Sequence, residues 1–486
     1  MATKKAAKKT VKKTRRAAGN APAQATVRFY CQGIGDCHLL RFDKDDGDPF
    51  WMLIDCGIHT SISGGREKID AIVADIASVT DRLDVVVGTH EHWDHLSGFH
   101  TARDAFADIS VGEVWLGWTE NPDDDQAQAL DKFKGKALAA LQGAQVRLAG
   151  MDTPHLAAVR DGVDSLMGFQ FGLQGEKVRA AREALEAMAT RRVRYLEPSK
   201  PPLTLPGLPN LRIYVLGPPR DEDLIKVRER KSEMYGLGAA TARAEALISA
   251  IQSEDDAGSD DAAPFEPNMG TDLQALLGGT TPPNDDAAKR VRDLLDAHYV
   301  KAPERRIDAD WLGASADLAI QLDDRTNNSS VVLAFEFIDT GRVLLFTADA
   351  QVGNWLSWQD VAWGRGDSKV TGPDLLARTV LLKVGHHGSE NATLEDKGLE
   401  LMNDPDLAAF IPTNQEDAKN VHWGAMPFDD IVTALHAHAG KRVIRADDPW
   451  PQHAKGSRAP FKAPSGSVRA VRRSDEPGLW VEMEVA

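Results

Sequence analysis

Residues 83–87 (Leu-Asp-Val-Val-Val) are apolar but for Asp84, and they run directly into Thr89-His90-Glu91-His92-Trp93-Asp94-His95. An apolar run of this kind reads as a largely buried strand. Three histidines and an aspartate within six residues therefore fall at the C-terminal end of a strand, where open α/β sheets place their sites. The chain has 14 histidines among 486 residues, so this loop concentrates them. In an extended or tightly turning loop His90 and His92 project to one side. Asp94 and His95 follow where the chain turns into a helix. Such a loop can hold two divalent cations close together, nitrogen ligands on one and mixed ligands on the other. A hydroxide shared by two ions is a nucleophile at neutral pH, because each ion lowers the pKa of bound water.

Around this loop, strand and helix signals alternate, as in an α/β chain. Strands are expected over residues 26–30, 38–42, 51–54, 111–116, 211–216, 330–337, 342–346, 376–384, 408–411 and 479–485. Helices are expected over 69–79, 126–141 and 428–438. Residues 221–325 differ in texture: they are charged, Ala-rich and broken by acidic and Pro/Gly stretches. They read as a mostly helical insertion with flexible loops. The expected organisation is a disordered basic tail (1–25), a first half-domain (26–220), the insertion (221–325), a second half-domain (326–450) and a C-terminal extension (451–486).

Composition narrows the setting. No run of about 18 apolar residues exists, so no membrane helix is expected. The Lys- and Ala-rich start has no apolar stretch behind it and does not read as a secretory signal. Only Cys31, Cys37 and Cys56 are present, which argues against a disulfide scaffold and fits a reducing cytoplasm. The basic residues Lys4, Lys5, Lys8, Lys9, Lys12, Lys13, Arg15 and Arg16 lie in the tail, so the rest is more acidic than the net charge of −16. A basic tail can touch a polyanion or simply solubilise the chain. The tail and the insertion are the expected surfaces for a protein partner. The acidic body argues against a broad nucleic-acid surface, whereas a metal-lined cleft binds phosphate locally.

The pattern His-x-His-x-Asp-His resembles the signature of the metallo-β-lactamase superfamily. Leu53-Ile54-Asp55-Cys56-Gly57 looks like that family's early strand, whose Asp orients the metal loop by hydrogen bonds. Leu345-Phe346-Thr347-Ala348-Asp349 looks like the strand whose last Asp bridges both metals, with Ala348 where Gly is usual. Val384-Gly385-His386-His387-Gly388-Ser389 looks like the last ligand motif. The resemblance implies an αββα four-layer sandwich and two divalent ions, Zn²⁺ or Mn²⁺. Its implied ligands are His90, His92, Asp94, His95, Asp349 and His386, with Asp55 behind them.

Cys31-Gln32-Gly33-Ile34-Gly35-Asp36-Cys37, Asn327-Asn328-Ser329-Ser330-Val331-Val332 and His386-His387-Gly388-Ser389 are similar to the hydrolase domain of ComEC-type competence proteins. Those domains are associated with degrading one strand of incoming DNA. The expectation is a stand-alone soluble relative without their membrane channel. Typical superfamily members carry a further ligand His after the strand at 211–216. Here the position falls in Gly217-Pro218-Pro219-Arg220, and His155 is a candidate substitute by count alone. A first site poor in nitrogen fits phosphodiester work better than β-lactam or thioester hydrolysis.

Asp94 and His387 are the catalytic candidates, His387 as general acid or phosphate donor. Asn328, Ser330, Ser389 and His422 are candidates for substrate contact, each with a structural alternative. Trp355, Trp358 and Trp363 are expected in the core, or as an aromatic rim. Three functions follow: a phosphodiesterase or nuclease acting on nucleic acid or a nucleotide, a small-molecule ester, lactone or phosphoester hydrolase, and a non-enzymatic interaction module. The last predicts an incomplete metal site.

Overall fold

The structure is a computed structural model that describes residues 24–149, 157, 159–164, 167, 176–227, 286–302, 314–420, 426–448, 467–474 and 478–486. Two large mixed sheets dominate these residues. The first has eight strands: β1 (Ala25–Tyr30), β2 (Cys37–Asp43), β3 (Pro49–Cys56), β4 (Arg82–Val87), β5 (Ser110–Gly117), β6 (Ala189–Leu196), and from the far end of the chain β16 (Val468–Arg473) and β17 (Trp480–Val485). Their order is β16-β17-β1-β2-β3-β4-β5-β6. The second has seven: β7 (Leu203–Leu205), β8 (Leu208–Gly217), β9 (Val332–Phe337), β10 (Arg342–Phe346), β13 (Thr379–Lys383), β14 (Ala408–Ile411) and β15 (Val443–Arg445), in the order β15-β14-β13-β10-β9-β8-β7. A ribbon of β11 (Ala362–Trp363) and β12 (Val370–Thr371) stands apart.

The alternation of strand side chains explains the layering. Val27, Phe29, Met52, Ile54, Val85 and Val87 of the first sheet share one buried cluster with Ile213, Leu333, Phe335, Leu344 and Phe410 of the second. The sheets therefore pack face to face, as an α/β sandwich. Leu53 and Val86 point to the opposite face, where they meet Ile69, Ile72, Val73 and Ile76 of the helix Gly65–Val79. The 3–4 spacing of those isoleucines and valine gives that helix its single apolar stripe. On the outer face of the second sheet, Leu345 and Leu382 meet Ile431 and Leu435 of the helix Asp429–Ala439. Trp355, Trp358 and Trp363 pack in that same cluster. They are core, not rim.

Strand direction positions the site. β3, β4, β5 and β6 run parallel, as do β10, β13, β14 and β15. Parallel strands end together, so each sheet delivers several chain turns to one rim. A bridge between Ile34 and Thr413 ties the rims of the two sheets. Between β8 and β9 the described parts of the chain include the helices Asp286–Leu295 and Ala314–Asn328. The rest of the 221–325 stretch and nearly all of the basic tail lie outside the described residues, as do His155 and His422. The three cysteines are free thiols. Among the described residues no helix is long and apolar enough to cross a membrane.

Candidate metal centre

Asp55 is the last residue but one of β3, β4 runs into the histidine loop, β10 ends two residues before Ala348-Asp349, and β13 ends just before His386-His387. Asp55 anchors the loop. Its Oδ1 accepts the backbone N–H of Thr89 at 2.8 Å, and its Oδ2 accepts the Thr89 hydroxyl at 2.7 Å. His95 Nδ1 lies 2.8 Å from the same Oδ2. A carboxylate can only accept here, so Nδ1 carries the proton and Nε2 faces Asp349 Oδ2 at 3.1 Å. The approach is close. A Cβ on Gly57 would sit 2.2 Å from the Asp94 backbone, and one on Gly35, whose φ is 127°, would sit 2.6 Å from Asp94 O. The Gly-rich turn after β1 thus passes close against the histidine loop, and Asp36 donates its N–H to Asp94 O at 3.1 Å.

His386 and His387 both adopt left-handed backbone (φ 42° and 54°), which turns their rings in different directions. His387 Nδ1 faces Pro412 O at 3.3 Å, and its Nε2 reaches Asp94 Oδ2 at 3.0 Å and Asp349 Oδ2 at 3.6 Å. His386 instead bonds Ser389 Oγ through Nδ1 at 2.9 Å. The expectation gave the ligand position to His386. In the structure the ring that lies beside both carboxylates is that of His387. Asp94, His95, Asp349 and His387 each offer one ligand atom within 4.8 Å of one another, all fully buried.

His90 and His92 form a second group. His90 Nε2 lies 3.0 Å from His92 Nδ1, and the His90 and His95 ring centroids are 4.2 Å apart. Two residues in this neighbourhood carry no role in the sequence reading. Lys383 is buried, donates to Ala348 O at 2.9 Å, pairs with Asp36 and lies 3.6 Å from Asp349 Oδ1. A lysine ending a strand of otherwise buried apolar and Thr side chains was the signal for it. The second is Asp36, which with Asp55 and His95 forms a further carboxylate–imidazole group.

Charge explains the titration of the site. Burial disfavours charge on His95, but Asp349, Asp94 and Asp55 outweigh it and hold its pKa well above the usual histidine range. His387 is likewise raised against burial by Asp349 and Asp94. Burial would raise Asp349, yet His95 and His387 keep it well below the usual carboxylate range. Burial and the neighbouring His95 push His90 well below its ordinary value, and burial with His90 and His95 does the same to His92. Four buried carboxylates, Asp36, Asp55, Asp94 and Asp349, thus face Lys383 and the rings of His95 and His387. Such groups need cationic partners, since each buried charge costs several kcal/mol. Asp94 Oδ1 is buried without a hydrogen bond among the described residues. Oxygen and imidazole donors converging in a buried core fit a divalent ion, which would displace the imidazole protons.

The other candidates fall outside this cluster. Asn328 spends its side chain on Ile225 O, Val227 O and the Asn354 backbone N–H. Ser330 is fully buried and follows Ser329 out of the same helix end. Ser389 stays beside His386 at the rim, each 9% exposed. No protein-family model and no curated protein matches this chain.

Proposed function

We propose that this chain is a metal-dependent hydrolase of the metallo-β-lactamase fold that cuts a phosphodiester in nucleic acid or a nucleotide. The observation that carries the reading is the convergence of Asp94, His95, Asp349 and His387 within 4.8 Å at the C-terminal ends of strands from two sheets. His90 and His92 supply a second nitrogen pair next to it. A divalent ion bound there supplies Lewis-acid activation of water and of the scissile group's oxygen.

The chain's own residues do the rest. Asp55 and Pro412 O hold His95 and His387 in the tautomers that turn Nε2 inward. Lys383 keeps Asp36 ionised, and His95 and His387 do the same for Asp349. Burial excludes bulk water and strengthens every charge–charge contact. His386 and Ser389, joined at 2.9 Å at the rim, are placed to meet a substrate oxygen. The phosphodiester class rests on the nitrogen-poor first site, with Pro218 and Pro219 where a third histidine would be, and on the ComEC-like motifs.

The test is incubation of purified protein with Mn²⁺ or Zn²⁺ and labelled single-stranded DNA, double-stranded DNA, RNA and cyclic nucleotides. Turnover on at least one, lost in Asp94→Asn, is expected. Metal-bound protein that turns over none of them sinks the phosphodiester reading.

A further inference from the structure

His92 offers its two ring nitrogens to two different neighbours. Nδ1 faces His90 Nε2 at 3.0 Å, and Nε2 faces Asp323 Oδ1 at 3.7 Å. Asp323 lies on the helix Ala314–Asn328, more than two hundred residues further along the chain. Both side chains are buried, His92 completely and Asp323 to 8% exposure. Asp323 is itself aimed: Asn327, one helical turn on, donates from Nδ2 to its Oδ2 at 3.1 Å.

The partners decide the tautomers. Thr89 Oγ1 gives its only proton to Asp55, so at 3.1 Å it accepts from His90 Nδ1. His90 Nε2 is then the bare nitrogen. At 3.0 Å it accepts the Nδ1 proton of His92. His92 Nε2 faces Asp323 Oδ1 at 3.7 Å, a charge contact longer than a hydrogen bond. A divalent ion that replaces the shared Nδ1 proton leaves His92 carrying its proton on Nε2, toward that carboxylate.

We propose that Asp323 is the carboxylate that orients His92 toward a metal ion, so that the helix Ala314–Asn328 completes the nitrogen-poor half of the centre. The inference rests on the metal-site reading above. Asp323 acts through His92 and is a positioning residue. It fixes the tautomer and ring angle of a ligand in a half-site that has one histidine fewer than the superfamily pattern. Loss of such an outer partner weakens a metal site by about 10–100-fold.

The experiment is titration of the metal-stripped full-length protein with Co²⁺, followed by calorimetry and by the visible ligand-field spectrum. Asp323→Asn, Asp323→Glu, Asn327→Ser and His92→Ala are compared with wild type. Two binding events are expected in wild type. Asp323→Asn weakens one of them by about 10–100-fold and alters its spectrum, and Asp323→Glu restores part of both. The other event, held by Asp94, His95, Asp349 and His387, stays at its wild-type affinity. If Asp323→Asn does not fold, Asn327→Ser carries the test, with a smaller loss on the same event. Unchanged affinities and spectra in the Asp323 and Asn327 variants, with His92→Ala weakened, overturn the role of Asp323 alone. A wild type that binds no Co²⁺ overturns the metal-site reading as well.

Discussion

Asp94 and His95 are held from the sheets, whereas Glu91 and His92, three residues earlier in the chain, are held from helices. On the first side, Asp55 at the end of β3 fixes His95, Asp36 N–H grips Asp94 O, and Asp349 and His387 arrive from β10 and β13. On the second, Glu91 pairs with Lys134 of the helix Asp125–Leu148 and with Arg182 of the helix Glu176–Ala187, and His92 faces Asp323. His90 sits between, tied through Thr89 to Asp55. The difference teaches that one half of the centre is inherent to the strand register. The other half depends on helices that can change without disturbing the sheets.

The largest effect is expected at Asp349. Asp349→Ala should weaken the tighter ion by more than about 100-fold, beyond the usual loss for an outer partner, while His90→Ala leaves that ion alone. Calorimetric titration with Zn²⁺ decides it, and equal losses in the two variants would erase the distinction between the halves.

Glu91 tests the helical anchor. Burial would raise its pKa, but Lys134 and Arg182 hold it down to about 2. A carboxylate depressed in the folded state contributes stability above its unfolded pKa of about 4.5, and loses it as pH falls toward the folded value. Glu91→Gln should therefore cost on the order of 3 kcal/mol at neutral pH, with the gap to wild type closing between pH 4.5 and about 2. Glu120 offsets part of this: burial and the Glu91 charge hold it up to about 7, and it relaxes once Glu91 is neutral. Urea titrations across that pH range measure the gap, and a constant gap would mean that Glu91 does not act through its charge.

Ala348 tests the sheet-held half more gently. Its φ of 48° is left-handed, which costs an L-residue roughly 1–2 kcal/mol relative to glycine. After the entropy glycine adds to the unfolded chain, Ala348→Gly should raise stability by about 1 kcal/mol, with Zn²⁺ affinity unchanged. A fall in melting temperature would show that the Ala348 methyl packs usefully. The smallest effect is expected at Cys31, whose thiol burial pushes up to about 12. At pH 8 it should resist a thiol reagent in the native protein and react after unfolding. Cys31→Ser should leave both metal affinities as they are, since neither half uses sulfur.

The long apolar runs were legible because burial on both faces leaves little else to read. Residues 83–87, 342–346 and 408–411 became β4, β10 and β14. β6 was not legible: Arg191, Arg192 and Arg194 break its pattern, and as an edge strand of the first sheet it has exposed positions under no apolar constraint. Within the site, the Asp94–His95 turn and Asp349 could be read from motif and strand end alone. The choice between His386 and His387 could not. It is made by two successive left-handed residues, which no spacing rule anticipates. Asp323 was hidden for another reason, since its link to His92 runs through tertiary packing across two hundred residues. Asn328, read as either a substrate contact or a cap of the strand turn, bonds backbone at a helix end.

β17 lies between β16 and β1, pairing Ala25 with Val485 and Tyr30 with Trp480. A ribosome releases residue 25 long before residue 485. Until then β1 has one bare edge, and backbone groups along such an edge invite pairing with another chain. The first sheet is therefore finished last-in-first: its earliest strand waits for its latest neighbour. Closure over so long a stretch of chain is slow by its topology. A nascent chain stalled before Trp480 would present an open β1 to whatever strand it met.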